Sequence, residues 1–436
     1  MDIVGGRMPM TGSGRHIARI MAVVASIAVA GVALAGCTGG VGGAAAAPQP
    51  VTTKSLPADV QKQLSGAVQA AMKATDSSGA IVTVTAPWAG TWTAGLGTTT
   101  PGGKTPVTTD MTFRAGQITR AMTCDALYRV AASGQIKLTD SIADYMDGIS
   151  SLKDATLGDL CDSTSGIGSY GGQLYPQEVA NPARQWSARE LVSYGLGNAS
   201  SAAPGTKYVP SDAGYLLLGL ALEQATGETP AQILQNQVFR PLGLQHTTLP
   251  GDAAAPPVAG GSEALPGYAV QRSSNGALQC KAPTDVTTMS ATYSSTDSGV
   301  VTDITDLSTY VRALATGALV SDKSRFQNAL AVSPTSPVWF TAAGGALQAG
   351  SLIGQYGKSP GYLTAAFSEP VSGLTVAVVL NNSTATSTTA LSLAWQLAAI
   401  ASKAPASGSS TAPAAGLPWT ADTYAAAVQA NAVCRK

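Results

Sequence analysis

The β-type segments of this 436-residue chain lie near its two ends, and most of its helical segments lie between them. Residues 80–95 are rich in β-branched and aromatic residues with interspersed turn residues, which predicts a hairpin. Residues 361–367 and 374–380 predict two further strands. Because isolated strands cannot bury their apolar faces, we predict an α/β (α+β) fold. Its antiparallel sheet would be assembled from both termini and flanked by helices, with a mostly helical region inserted.

Five segments have the apolar spacing of a helix or end at a glycine that would stop one. Val60, Leu64, Val68 and Met72, for example, would share one helical face. Asp303 is a candidate N-cap for the fourth segment. The predicted helices cover residues 57–75, 119–133, 215–226, 303–316 and 390–402.

The N-terminal segment indicates export. Three arginines precede an apolar or small-residue stretch at residues 20–36, which is typical of a signal peptide. The stretch ends in Leu-Ala-Gly before Cys37 and is similar to a bacterial lipobox, in which the cysteine is lipidated. We therefore predict a lipoprotein signal at residues 1–36 and an anchor on the outer face of the cell membrane. An uncleaved membrane anchor is the alternative.

Composition excludes several function classes. The chain has 25 Lys+Arg against 25 Asp+Glu and no basic cluster, so nucleic acid is a poor candidate partner. His16 and His246 are the two histidines, and only His246 lies beyond the signal, which disfavours a histidine-based metal site. We find no glycine-rich phosphate loop and predict no cofactor.

Four cysteines follow Cys37 in the sequence. An even number in an oxidising compartment predicts two disulfides with three alternative pairings, and buried free thiols are the alternative. These cysteines are Cys124, Cys161, Cys280 and Cys434.

Several separated motifs share one order and spacing. The chain has FRAGQITRAM from residue 113, LCDSTSG from 160, PGTKYVPSDAGY from 204, SGVVT from 298 and GQYG from 354. Together they resemble the serine β-lactamase (class C) and D-alanyl-D-alanine carboxypeptidase family, which is penicillin-binding-protein-like. The resemblance implies a β-lactamase/transpeptidase-like domain at residues 57–403. Residues 37–56 would then be a flexible tether, and residues 404–436 a linker and tail.

In that family a Ser-x-x-Lys pair, a Tyr-x-Asn pair and a His-Thr-Gly segment perform the chemistry. Here the serine position is Gln117 and the lysine position is Arg120, whose guanidinium cannot serve as a base. Pro210 and Asp212 replace the tyrosine and the asparagine. The third motif is Gln355-Tyr356-Gly357, and the backbone N–H groups of Gln117 and Lys358 would be the oxyanion donors.

These substitutions predict a pseudoenzyme that binds or scaffolds in the cell envelope, with a cell-wall peptide or a protein as candidate partner. The first alternative is an active serine hydrolase with a relocated nucleophile. A literal Ser-x-x-Lys at Ser150–Lys153 lacks partner motifs, and we interpret it as coincidence. The second alternative is a structural lipoprotein that uses the fold only as a body.

The resemblance implies two further contacts. The segment holding Cys161 packs against the first long helix in the family, so we predict Cys124–Cys161 and, with it, Cys280–Cys434. The family's Lys–Asn contact becomes Arg120 and Asp212 here, which predicts a buried ion pair across the old site.

Overall fold

An eight-stranded antiparallel sheet forms the centre of the fold, in the order β2-β1-β12-β11-β10-β9-β8-β7. The computed structural model describes residues 54–149, 152–200, 202–273, 275–408, 411–413 and 416–434. Its strands are β1 Gly79–Ala86, β2 Gly90–Gly97, β3 Phe113–Arg114, β4 Tyr268–Ala269, β5 Thr284–Asp285, β6 Val301–Thr302, β7 Leu330–Ala331, β8 Phe340–Ala343, β9 Ala346–Ala349, β10 Leu352–Ser359, β11 Tyr362–Ser368 and β12 Thr375–Leu380.

Helices cover both faces of this sheet. They are α1 Ala58–Thr75, α2 Ile118–Ala132, α3 Leu157–Cys161, α4 Gly171–Ala180, α5 Ala188–Gly197, α6 Asp212–Thr226, α7 Pro230–Leu234, α8 Arg240–Leu242, α9 Ser295–Ser298, α10 Ile304–Thr316, α11 Ser387–Ala401 and α12 Ala421–Ala430. The five predicted helices, the predicted hairpin and the two further predicted strands are confirmed. Asp303 caps α10 as predicted, because its side chain accepts a hydrogen bond from the backbone N–H of Asp306.

Alternation along the strands builds two cores. Ile81 and Val379 belong to the apolar cluster on the side of α2 and α10, whereas Val82 and Val378 belong to the cluster on the side of α1 and α11. Successive strand residues point to opposite faces, so strands covered on both sides are apolar throughout. Because β1 pairs with β12, the predicted sheet built from both ends of the domain is confirmed.

Both predicted disulfides are present. Cys124–Cys161 joins α2 to the end of α3, with 5.5 Å between the Cα atoms. Cys280–Cys434 joins the inserted region to the C-terminal tail, with 5.4 Å between the Cα atoms. The tail packs on the domain, because the ring of Trp419 stacks on that of Trp395 with 5.1 Å between centroids. The boundary at residue 403 stays a prediction.

The predicted signal at residues 1–36, the lipidation site Cys37 and most of the tether lie outside the described residues. Within the described ranges, no helix has the length and apolar character that crossing a membrane requires.

Candidate active site

Short β pairing places the start of α2 beside the sheet. Phe113 pairs with Thr302 in the β3–β6 ladder, and the backbone N–H of Ala115 donates to the carbonyl of Val300 at 2.8 Å. This pairing brings α9, just before β6, next to α2. On the sheet, β10 pairs with β9 only through residues 352–354. In the described part of the chain, the second half of β10 therefore has no strand partner on the side that meets α2.

Gln117 occupies the point where α2 meets β10. Its side-chain Oε1 accepts a hydrogen bond from the backbone N–H of Lys358 at 2.6 Å, and its Nε2 lies 3.5 Å from Asp297 Oδ2. The missing side chain of Gly357 makes this approach possible, because a Cβ there would lie 2.2 Å from Gln117 N. The carboxamide of Gln117 thus occupies the backbone N–H of Lys358, which is one of the two predicted oxyanion donors.

Arg120 is paired, but not with the predicted partner. Its Nε donates to Asp297 Oδ1 at 2.7 Å, and both side chains are buried. Its guanidinium carbon lies 5.0 Å from the ring centroid of Tyr215. Burial is the largest single influence and lowers the pKa of Arg120. The nearby acidic groups, with Asp297 first among them, together outweigh burial, so the pKa lies above its ordinary value. The guanidinium therefore remains charged and supplies no base.

The predicted Arg120–Asp212 ion pair is wrong because backbone N–H groups bind the carboxylate of Asp212. Oδ1 accepts from the N–H of Tyr170 at 2.8 Å and from that of Ala213 at 2.7 Å, and Oδ2 accepts from that of Gly171 at 2.8 Å. These donors lie at the starts of α4 and α6. Burial, and then the charge of Asp297, raise the pKa of Asp212 above its ordinary value.

The remaining motif positions carry no proton relay. Pro210 has no side-chain proton, and its backbone carbonyl accepts a hydrogen bond from Ser169 Oγ at 3.3 Å. Gln355 is buried and donates through Nε2 to the carbonyl of Gly345 at 3.2 Å. Tyr208 and Tyr356 line the same cavity as Pro210 and Gln355. Burial raises the pKa of Tyr208 to about 12, so its phenol is neutral near pH 7.

A cavity of about 600 Å³ opens at this point. Seven of the eight predicted site positions line it: Gln117, Arg120, Pro210, Asp212, Gln355, Tyr356 and Lys358. The eighth, Gly357, lies between two of them in the chain. The sequence motifs therefore do converge on one site, although each of their reactive side chains has been replaced.

Several cavity residues were not predicted. Asp297 immediately precedes the recognised SGVVT motif. It could have been predicted, because a buried arginine such as Arg120 needs an anion beside it. Four further tyrosines complete the aromatic wall: Tyr170, Tyr175, Tyr208 and Tyr293. Tyr208 lies in the recognised PGTKYVPSDAGY motif, whereas the other three have no sequence signal beyond their residue type.

His246 does not form a catalytic triad. Its Nδ1 lies 3.0 Å from Ser262 Oγ and 3.8 Å from Asp303 Oδ2, so both contacts use the same ring nitrogen. A proton relay needs the acid and the serine on opposite nitrogens. His246 is also absent from the cavity wall. Ser150 and Ser151 lie outside the described residues, and the described ranges hold no group of three or more His, Cys, Asp or Glu residues placed to hold a metal ion.

This architecture, a sheet with a pocket where a helix N-terminus meets its free strand edge, is the penicillin-binding-protein-like fold. It is similar to that of a D-stereospecific amidohydrolase from Streptomyces sp., with a TM-score of 0.63 and 23% identity over 75% of this chain and 94% of the other. It is also similar to that of the octameric penicillin-binding protein homologue from Pyrococcus abyssi, with a TM-score of 0.64 and 19% identity over 79% of each chain. At these identities the likeness shows the fold alone.

The beta-lactamase family model matches residues 64–400, so the chain belongs to the beta-lactamase family. The D-alanyl-D-alanine-carboxypeptidase/endopeptidase AmpH of Escherichia coli is 28% identical over 159 residues, which are 35% of this chain and 40% of AmpH. Penicillin-binding protein 4 of Amycolatopsis lactamdurans is 26% identical over 164 residues, 34% of this chain and 39% of that protein. The chain thus matches less than half the length of these curated relatives.

Proposed function

We propose that this member of the beta-lactamase family is a non-hydrolytic binding protein that holds a ligand in the pocket without cleaving it. The proposal rests mainly on Gln117, which stands at the position of the family's nucleophile. Its carboxamide oxygen accepts a hydrogen bond from the backbone N–H of Lys358 at 2.6 Å. An amide is not a nucleophile, and Arg120 beside it is not a base. The N–H of Lys358 already binds an amide oxygen, so a ligand carbonyl would have to displace the Gln117 side chain to reach it.

The proposed ligands are cell-wall peptides that end in D-amino acids. Relatives of this chain are named as a D-alanyl-D-alanine carboxypeptidase and as a D-aminopeptidase, which supports this class. We further propose that the protein is exported and anchored to the membrane through lipidated Cys37. Two disulfides agree with an oxidising compartment but support export only weakly.

Two covalent probes test the absence of hydrolysis. The full chain would be incubated with benzylpenicillin and, separately, with a fluorophosphonate, and its intact mass would be measured. We expect no adduct on any serine. A stoichiometric adduct would overturn the proposal, and peptide mapping would locate it. Ser294, Ser298 and Ser387 are the serines to inspect first, since all three residues line the cavity.

Calorimetry with an N-acyl-D-Ala-D-Ala peptide tests binding, with the L,L peptide as the stereochemical control. We expect heat only with the D,D peptide. The variant Gln117→Ala would free the N–H of Lys358 for the ligand, and one net hydrogen bond corresponds to roughly 2- to 10-fold tighter binding. Gln135→Ala, at an exposed glutamine beyond the far end of α2, is the matched control. The absence of heat with the D,D peptide would overturn the proposed ligand class.

A further inference from the structure

Lys358 lies in the cavity wall, and its amine contacts an aromatic ring and a backbone carbonyl. Its Nζ lies 4.8 Å from the ring centroid of Tyr175, and the nearest polar contact is the carbonyl of Ala385 at 3.5 Å. Among the described residues, no carboxylate lies within 4.0 Å of it, the limit for an ion pair. A cavity-lining amine without a counterion is uncommon, because a desolvated ammonium is costly unless it is paired.

The acids that share the cavity are engaged elsewhere. Asp297 forms an ion pair with Arg120, and Asp212 accepts hydrogen bonds from three backbone N–H groups. With no carboxylate beside the amine, burial lowers the pKa of Lys358 to about 8. The other charged and titratable residues that line the same cavity are Arg120, Tyr170, Tyr175, Tyr208, Asp212, Tyr293, Asp297 and Tyr356.

We propose that Lys358 Nζ is a nucleophile that captures an aldehyde-bearing ligand in this cavity as an imine. The neutral amine attacks the carbonyl carbon and gives a carbinolamine, which then loses water. The C=O bond is replaced by a C=N bond, and both amine hydrogens leave with the carbonyl oxygen. No oxidant, reductant or cofactor is required. Lysine amines with a lowered pKa are the side chains that form such adducts.

The cavity favours an aromatic or apolar aldehyde. Its volume of about 600 Å³ accommodates a small ring, and tyrosines and prolines form much of its wall. The ring of Tyr175 beside Nζ would pack against such a group. This inference goes beyond the proposed function, because peptide binding does not require the amine to react and amine capture does not require a peptide.

The test is reductive alkylation of the full chain with benzaldehyde and sodium cyanoborohydride at pH 7. The reductant converts the imine to a stable secondary amine that peptide mapping can locate. At pH 7 about a tenth of an amine with a pKa of about 8 is neutral, against about one in three thousand for an ordinary lysine. Allowing for the lower nucleophilicity of the weaker base, we expect Lys358 to be labelled at least ~10-fold faster than exposed Lys207.

Two variants and a pH profile complete the experiment. Lys358→Arg keeps the charge and should abolish the fast label, whereas Lys207→Arg should keep it. The rate at Lys358 should level off above about pH 8, while surface lysines continue to accelerate. Labelling of Lys358 no faster than that of Lys207, or a fast label that survives in Lys358→Arg, would overturn the inference. Retained peptide binding in that case would leave the proposed function standing.

Discussion

Removing either member of the Arg120–Asp297 pair should destabilise the protein strongly. Their nitrogen and oxygen lie 2.7 Å apart, with side-chain exposures of 11% and 2%. In Arg120→Met, the one side-chain contact left to Asp297 among the described residues would be the long one to Gln117 at 3.5 Å. Stranding one charge of a buried pair lowers the free energy of unfolding by about 3–5 kcal/mol. The double variant with Asp297→Leu removes both charges and should lie within about 1–2 kcal/mol of the parent protein.

Denaturant unfolding with both disulfides intact measures this cycle. We expect a coupling energy of at least ~3 kcal/mol between the two substitutions. The pair Arg184–Glu190 is the matched control, because its atoms also lie 2.7 Å apart but its side chains are 37% and 36% exposed. Coupling there should stay below about 1 kcal/mol. Equal coupling in the two cycles would refute the argument that burial, rather than distance, sets the strength of the pair.

Three further predictions follow from other contacts. Burial raises the pKa of Glu178 to about 7, so the folded state binds a proton more tightly than the unfolded state. The free energy of unfolding should therefore fall as pH rises from about 4.5 through 7. In Glu178→Gln, the free energy of unfolding measured over that pH range should be flatter. Gly357→Ala should destabilise the protein by about 1–3 kcal/mol in denaturant unfolding, because the new Cβ would lie 2.2 Å from Gln117 N. Gly66→Ala in α1 is the control, because a Cβ there would have no atom of another residue within 4 Å, and it should stabilise the protein slightly. Replacing Cys280 and Cys434 with serine should cost roughly 2–4 kcal/mol in denaturant unfolding, and an unchanged midpoint would show that the bridge adds nothing.

The sequence predicted much of the fold because long periodic segments determine it. The hairpin, the paired C-terminal strands and the long helices all have patterns that a single period describes. The short elements escaped prediction. Helices α3 and α7 have five residues each, and β9 has four, so none completes enough periods to give a signal.

The site positions were predictable from the motifs, but their contacts were not. Two aspartates of the cavity wall, Asp212 and Asp297, were available to Arg120. Which of them pairs with it depends on the start of α4, where the backbone N–H groups of Tyr170 and Gly171 bind Asp212. No motif in the sequence marks that helix start. The placement of the Gln117 side chain likewise depends on the approach of β10, which is a tertiary contact.

The bond between Cys280 and Cys434 changes the covalent topology of the molecule. It closes a loop spanning 154 positions that includes α10, α11 and strands β7 to β12. The remaining chain is an arm whose strands β1 and β2 continue the sheet beyond β12. A single peptide-bond cut between residues 280 and 434 would therefore leave one covalent molecule, and fragments would separate only after reduction. Protease sensitivity within this loop would go unseen on a non-reducing gel.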